Sequence, residues 1–293
     1  MELQPWAHRA SSNLTLRGWH SPPSGRPLLH FLHGNGFCGR AYQPMLERLA
    51  EHFDLWLCDL QGHGDSDHGG PFLGWNRNAE LAVEAFEAGR GIFGEVPRHA
   101  CGHSFGGVLT GLILAEHPQL FERAVLLDPV IFPPVLARVL RVADAFGLRR
   151  RRGIAQRALG RRSQWEHREL ARRSLHNRGI YKGWEEDALD AFITHALRDQ
   201  DGGVALKCHP SREAEIFSSS PQRLWYSLRR VQTATRLIYG EQSYPFVARS
   251  ARHWAGINRH VTVARLPGGH CFMQEDPATS AEQVRSFLLD TRP

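Results

Sequence analysis

Residues 99–118 read HACGHSFGGVLTGLILAEHP. A short apolar, β-type run leads into Gly102-His103-Ser104-Phe105-Gly106, and the residues after it have the apolar spacing of a helix that stops at Pro118. A serine at such a junction has a mechanical meaning. The chain must turn sharply from strand to helix, so glycines flank the serine where backbones approach closely, and the serine's own backbone is strained. The turn projects the Ser104 hydroxyl into a cleft, and the positive end of the next helix points there. G-x-S-x-G alone occurs often by chance, as a purely structural turn. Its position between strand and helix makes Ser104 the candidate nucleophile.

Working outward, similar apolar runs recur: LLHFLH (28–33), FDLWLCD (53–59), AVLLD (124–128), RLIYG (236–240) and VTVARLP (261–267). Helical spacing occupies 41–51, 78–90, 105–117 and 277–289. This alternation predicts an α/β fold with a doubly wound, mostly parallel sheet, whose strand ends collect polar residues at one edge. LTLRGWH (14–20) fits one leading antiparallel strand. The stretch 132–232 breaks the pattern. WEEDALDAFITHAL (184–197) is helical in spacing and VALKCH (204–209) is ambiguous, so a mainly helical, arginine-rich cap is expected there, inserted between two late strands of a core made of 1–131 and 233–293.

The bulk numbers narrow the class. At 293 residues, the chain can bury a large core. Five cysteines without regular spacing argue against a disulfide framework or zinc ribbon, and no H-E-x-x-H is present, so no metal is expected. The N-terminus lacks the apolar core of a signal peptide and no eighteen-residue apolar run occurs, which predicts a cytoplasmic protein with no membrane span. The net charge is +6, yet residues 138–178 hold thirteen arginines against three acids, a local balance of +10 that leaves −4 elsewhere. Such a patch can attract nucleic acid, anionic lipid or an acidic substrate. Without a nucleic-acid motif, a solvated helical face is the reading adopted, and no nucleic-acid partner is expected.

Acyl chemistry at Ser104 needs two further parts. Donors must face a developing oxyanion, and the backbone N–H groups of Phe105 and of Asn35, in the loop His33-Gly34-Asn35-Gly36, suit that task. A histidine must take the serine's proton, and His270, after Leu266-Pro267-Gly268-Gly269, follows the last strand and reaches the same edge. His33, His63 and His103 lie inside strand-end motifs, where they are expected to hold loops together.

With HGNG after one strand, DLQGHGDSD after the next, GHSFGG at the turn and PGGHCFMQEDP near the end, the chain resembles the α/β-hydrolase family over its whole catalytic domain. The resemblance implies a structural role for Asp59 and a triad of serine, histidine and acid. Most relatives carry the acid where this chain has Ser243. The resemblance supplies another place, the end of the strand before the cap, and Asp128 in AVLLDPV occupies it. A subgroup of serine esterases and thioesterases looks similar there, although many relatives carry an aspartate at that position without using it. Asp128 is therefore the expected acid, with Glu241 the alternative. On this reading Ser243 is free to pack or hydrogen-bond beside His270, and Ser243→Ala is expected to stay near wild type.

These expectations describe a serine hydrolase acting on a small-molecule ester, thioester or lactone without cofactor. A weakly catalytic or non-catalytic binding protein on the same fold and a cofactor-free haloperoxidase-like activity remain the alternatives. Phe132, Trp165, Tyr181, Trp184, Phe217, Trp225 and Tyr226 are candidate pocket residues. Oligomeric state is not legible.

Overall fold

The computed structural model describes residues 1–145 and 153–290. In chain order the first strands are β1 (Gln4–Arg9), β2 (Thr15–His20), β3 (Leu28–Leu32), β4 (Asp54–Asp59), β5 (Arg98–His103) and β6 (Arg123–Leu127). Three short strands follow, β7 (Gln164–Trp165), β8 (Leu197–Gln200) and β9 (Gly203–Leu206), and then β10 (Ala234–Gly240) and β11 (Val261–Leu266). Eight of them form one sheet in the order β1-β2-β4-β3-β5-β6-β10-β11. The pairs from β4 to β11 are parallel, with Cys101 opposite both Phe31 and Val125, and Leu237 opposite both Leu126 and Val263. β2 joins β4 antiparallel, as LTLRGWH predicts, and β1 adds a hairpin strand that the sequence reading does not assign.

Every residue of β3 and β4 is buried, which is why these strands read as nearly continuous apolar runs. Successive side chains go to opposite faces. Leu28 and Leu32 join one core with Ala100 and Leu126, while Leu29 and Phe31 join the other with Cys101, Val125 and Leu127. Helices α1 (Gln43–Ala50), α2 (Trp75–Gly89) and α3 (Ser104–Glu116) cover these faces, α1 on the second core and α2 and α3 on the first. All residues of α3 from Ser104 to Ala115 are buried, so this helix is apolar all round rather than amphipathic.

The sheet is interrupted between β6 and β10. The interruption carries α4 (Pro134–Ala145), α5 (Ile154–Leu159), α6 (Arg168–Leu175), α7 (Glu186–His195), α8 (Pro210–Phe217) and α9 (Leu224–Arg229). It also carries a small antiparallel sheet in the order β7-β9-β8, so the ambiguous VALKCH run begins within a strand. Its last helix is tied to the main core. The Leu228 carbonyl of α9 accepts from Trp254 Nε1 (2.9 Å) and Asn258 Nδ2 (3.1 Å). Trp254 belongs to α10 (Pro245–Ile257), a helix that the sequence reading does not assign. The chain closes with α11 (Phe272–Glu275) and α12 (Pro277–Leu288). Among the described residues no helix is long and apolar enough to cross a membrane.

Candidate active site

β5 ends at His103 and α3 begins at Ser104, whose φ of 54° lies in the left-handed region that a non-glycine residue rarely adopts. Both flanking glycines are sterically required. A Cβ on Gly106 would sit 2.3 Å from the Leu32 carbonyl oxygen and 2.5 Å from that of His33. One on Gly102 would sit 2.5 Å from Thr110 Oγ1 and 2.6 Å from the Gly106 carbonyl oxygen. The close approach is used: the Gly106 N–H donates to the His33 carbonyl at 3.1 Å and locks the turn to the end of β3.

Asp128 follows β6 with a φ of 44°, its N–H donating to the Ile238 carbonyl at 2.7 Å. Its carboxylate is fully buried yet well supplied with donors. Oδ1 accepts from the Gly240 N–H at 2.9 Å, and Oδ2 accepts from His270 Nδ1 at 2.6 Å and from the Ser243 hydroxyl. With the His270 proton on Nδ1, Nε2 is left to accept the Ser104 hydroxyl at 2.9 Å. The imidazole is held between two rings, His103 at 4.9 Å and Tyr244 at 5.1 Å. Glu241 is turned outward, half exposed and 3.4 Å from Arg265 Nε. The geometry thus brings Ser104, His270 and Asp128 together and leaves Glu241 apart.

In the loop after β3, the Gly34 N–H donates to the Tyr42 hydroxyl (3.0 Å), the Gly36 N–H to His63 Nε2 (3.1 Å) and the Phe37 N–H to the Gly34 carbonyl (3.2 Å). The N–H groups of Asn35 and Phe105 have no acceptor among the described residues. These are the two donors expected for an oxyanion. The loop histidines are fasteners. His33 Nδ1 donates to the Gly34 carbonyl and Nε2 accepts the Leu60 N–H, and burial holds its ring neutral, with the pKa pushed down to about 4. His103 donates from Nε2 to the His270 carbonyl (3.0 Å) and accepts the Tyr42 hydroxyl at Nδ1 (2.6 Å). A single buried chain therefore joins the Asn35 loop, the serine turn and the histidine loop. Asp59 is structural as expected, accepting the N–H groups of Gly39 and Asp65, and burial raises its pKa to about 6.

The insertion reaches the site through α8. The Glu213 carbonyl accepts from Asn35 Nδ2 at 3.2 Å, and its carboxylate lies where a side chain on Gly36 would begin, 3.0 Å away. Burial pushes that carboxyl up in pKa, while Arg161 Nη1 at 2.7 Å pulls it the other way. Part of the arginine cluster is paired with acids from later in the chain: besides Arg161 with Glu213, Arg168 pairs with Asp199, and Arg172 with Glu186 and Asp190. The local balance of +10 therefore overstates the field. Arg149, Arg150, Arg151 and Arg152 lie outside the described residues.

The candidate pocket aromatics divide. Trp165, Tyr181 and Trp184 are buried in the core that the insertion shares with Phe37 and Phe192, and Phe217 packs on Ala155, Ala158 and Ala214. Phe132, Trp225 and the exposed Tyr226 line a surface groove. Tyr42 and Tyr244 are the site neighbours that sequence reasoning did not single out, whereas Ser243 was marked as the residue standing where an acid is usual.

Residues 31–283 match the model of the alpha/beta hydrolase family. The chain is similar to the abhydrolase domain-containing protein ACTT2-1 of Alternaria alternata, 23% identical over 225 residues that cover 64% of this chain and 81% of that one. It is similar to the type I acyl-CoA thioesterase mpaH of Penicillium roqueforti, 27% identical over 200 residues, 61% of this chain and 42% of that one. Among solved structures it is similar to E-2-(acetamidomethylene)succinate hydrolase, with a TM-score of 0.76 at 19% identity over 99% of this chain and 100% of that one, a likeness of fold. With most of its length matched by the family model, and with the parallel sheet and strand-end motifs described above, the chain belongs to the alpha/beta hydrolase family.

Proposed function

We propose that this chain is a serine hydrolase cleaving a carboxylic ester, thioester or lactone through an acyl-enzyme. The hydrogen-bonded line from Asp128 through His270 to Ser104 carries the reading. Ser104 Oγ attacks the acyl carbon while His270 Nε2 takes the hydroxyl proton, and Asp128 orients the imidazole and stabilises its charged form. The oxyanion is held by the N–H groups of Asn35 and Phe105. Nε2 then gives its proton to the leaving alcohol or thiol. Water attacks the acyl-enzyme with Nε2 as base, and the proton returns to Ser104 Oγ as the carboxylic acid leaves.

Residues 132–232 act as a cap over the core formed by 1–131 and 233–293, and the five buried free thiols fit a reducing, cytoplasmic setting. The acyl side of the substrate is apolar. Tyr244, in contact with His270, stacks on Phe246, which lines a mostly apolar groove of about 760 Å³ with Pro133, Pro134, Val135 and Leu136, together with Arg249 and His253. Similarity to an acyl-CoA thioesterase supports including thioesters among the substrates.

Hydrolysis of p-nitrophenyl esters and acyl-CoA thioesters of increasing chain length tests the proposal. The expected result is turnover that rises with acyl length and disappears in Ser104→Ala. Turnover that survives in Ser104→Ala would contradict it.

A further inference from the structure

We propose that Ser243 is a positioning residue for His270, acting through Asp128; the inference rests on the hydrolase reading above. The turn that carries Ser243 where relatives carry the acid encloses the carboxylate of Asp128. The Gly240 N–H takes Oδ1 of Asp128, the Ser243 hydroxyl takes Oδ2, and the Ser243 N–H closes the turn on the Gly240 carbonyl at 3.0 Å. The same turn grips the segment that carries the histidine. The Glu241 N–H donates to the Leu266 carbonyl (2.8 Å) and the Gln242 N–H to that of Gly268 (2.9 Å). A Cβ on Gly240 would sit 2.1 Å from the Gly269 carbonyl oxygen, so turn and histidine loop are in backbone contact.

Direction follows from chemistry. An ionised carboxylate only accepts, so Ser243 donates. Oδ2 then accepts two hydrogen bonds, one from the Ser243 hydroxyl and one from His270 Nδ1–H, while Oδ1 accepts one from the Gly240 N–H. Asp128 is fully buried, so no bulk water stands ready to replace the serine hydroxyl. Without it, Oδ2 keeps a single side-chain donor, the carboxylate is free to rotate off the plane that aligns His270, and its charge falls more heavily on Nδ1–H. The geometry therefore revises the expectation that Ser243→Ala is near wild type.

The test is a double-mutant cycle of Ser243→Ala with Asp128→Asn, with kcat expressed per serine titrated by a fluorophosphonate, together with the NMR position of the low-field Nδ1 proton of His270. A hydrogen bond to a charged, buried group predicts a loss of about tenfold in kcat for Ser243→Ala. KM should be unchanged, the acid limb of kcat/KM should move to higher pH, and the Nδ1 proton should shift. In the Asp128→Asn background the same change should cost less than about twofold, because residues acting through one another are not additive. Equal losses in both backgrounds, or no loss and an unmoved Nδ1 proton, would overturn the inference while leaving the hydrolase reading intact. A wild-type chain that takes no fluorophosphonate overturns the hydrolase reading instead, and the proton resonance still reports whether Ser243 holds Asp128.

Discussion

Three donors meet the fully buried carboxylate of Asp128, from Gly240, Ser243 and His270. A buried carboxylate stripped of such partners would favour its neutral form and could not stabilise an imidazolium. The positive φ at both Asp128 and Ser104 is the local cost of aiming these side chains at one point, and neighbouring backbone contacts hold each in place. Replacement of Asp128 by asparagine preserves shape and removes the charge that sets the imidazole tautomer. The expected outcome is a fall in kcat of about 10³- to 10⁴-fold. Glu241→Gln, at an exposed side chain paired with Arg265, is expected to stay within about twofold, as surface changes usually do. Steady-state ester hydrolysis by the two variants checks the ranking, and the reverse order would return the acid to Glu241.

At the scale of elements, how much could be read from the chain depended on how many constraints each segment carried. β3, β4, β5 and β6 were legible because burial on both faces leaves an apolar signature, and β10 and the edge strand β11, less buried, because short apolar runs end in glycine-rich, polar loops. The expectations for Ser104 and His270 followed from their places at those ends, and that for Asp128 from the family resemblance. β1 was not legible: the edge hairpin is largely exposed, and it is fixed by long-range packing, with the Trp6 ring stacked on Trp56 at 4.6 Å. The strand β9 has only four residues and pairs with segments about forty and six residues away, which no local period reports. α10 was hidden behind Pro245, which reads as a breaker but occupies the first turn of the helix, where its missing N–H costs nothing. The contact of Ser243 with Asp128 joins positions 115 apart in sequence, and only the pairing of β6 with β10 brings them together.

Across the whole molecule, the loops of the site are fastened by histidines that folding keeps neutral. Burial lowers His33 to about 4 and pushes His63 and His103 well down from the usual 6.5, and it lowers His30, which lies inside β3 and fastens no loop, to about 3. A base whose folded pKa is depressed gives stability that is complete above the unfolded value and lost as pH falls below it. A tenfold difference in proton affinity between the folded and unfolded chain is worth about 1.4 kcal/mol, so several buried histidines acting in one direction weigh against a domain's margin of about 5–15 kcal/mol. Asp59, raised to about 6, acts in the opposite sense, giving stability that is lost as pH rises through 6, and the raised carboxyl of Glu213 acts with it, two groups against several. The thermal midpoint should therefore fall steeply between pH 6.5 and pH 4, and calorimetry across that range checks it; a flat midpoint would contradict the neutral-histidine account. The central claim, that Ser104 is a nucleophile activated by His270, is tested most directly by incubating the protein with a fluorophosphonate and locating the adduct by peptide mass spectrometry. The account predicts one adduct, on Ser104, at a rate that collapses in a His270→Ala variant. No adduct, or one that forms equally fast without His270, would contradict it.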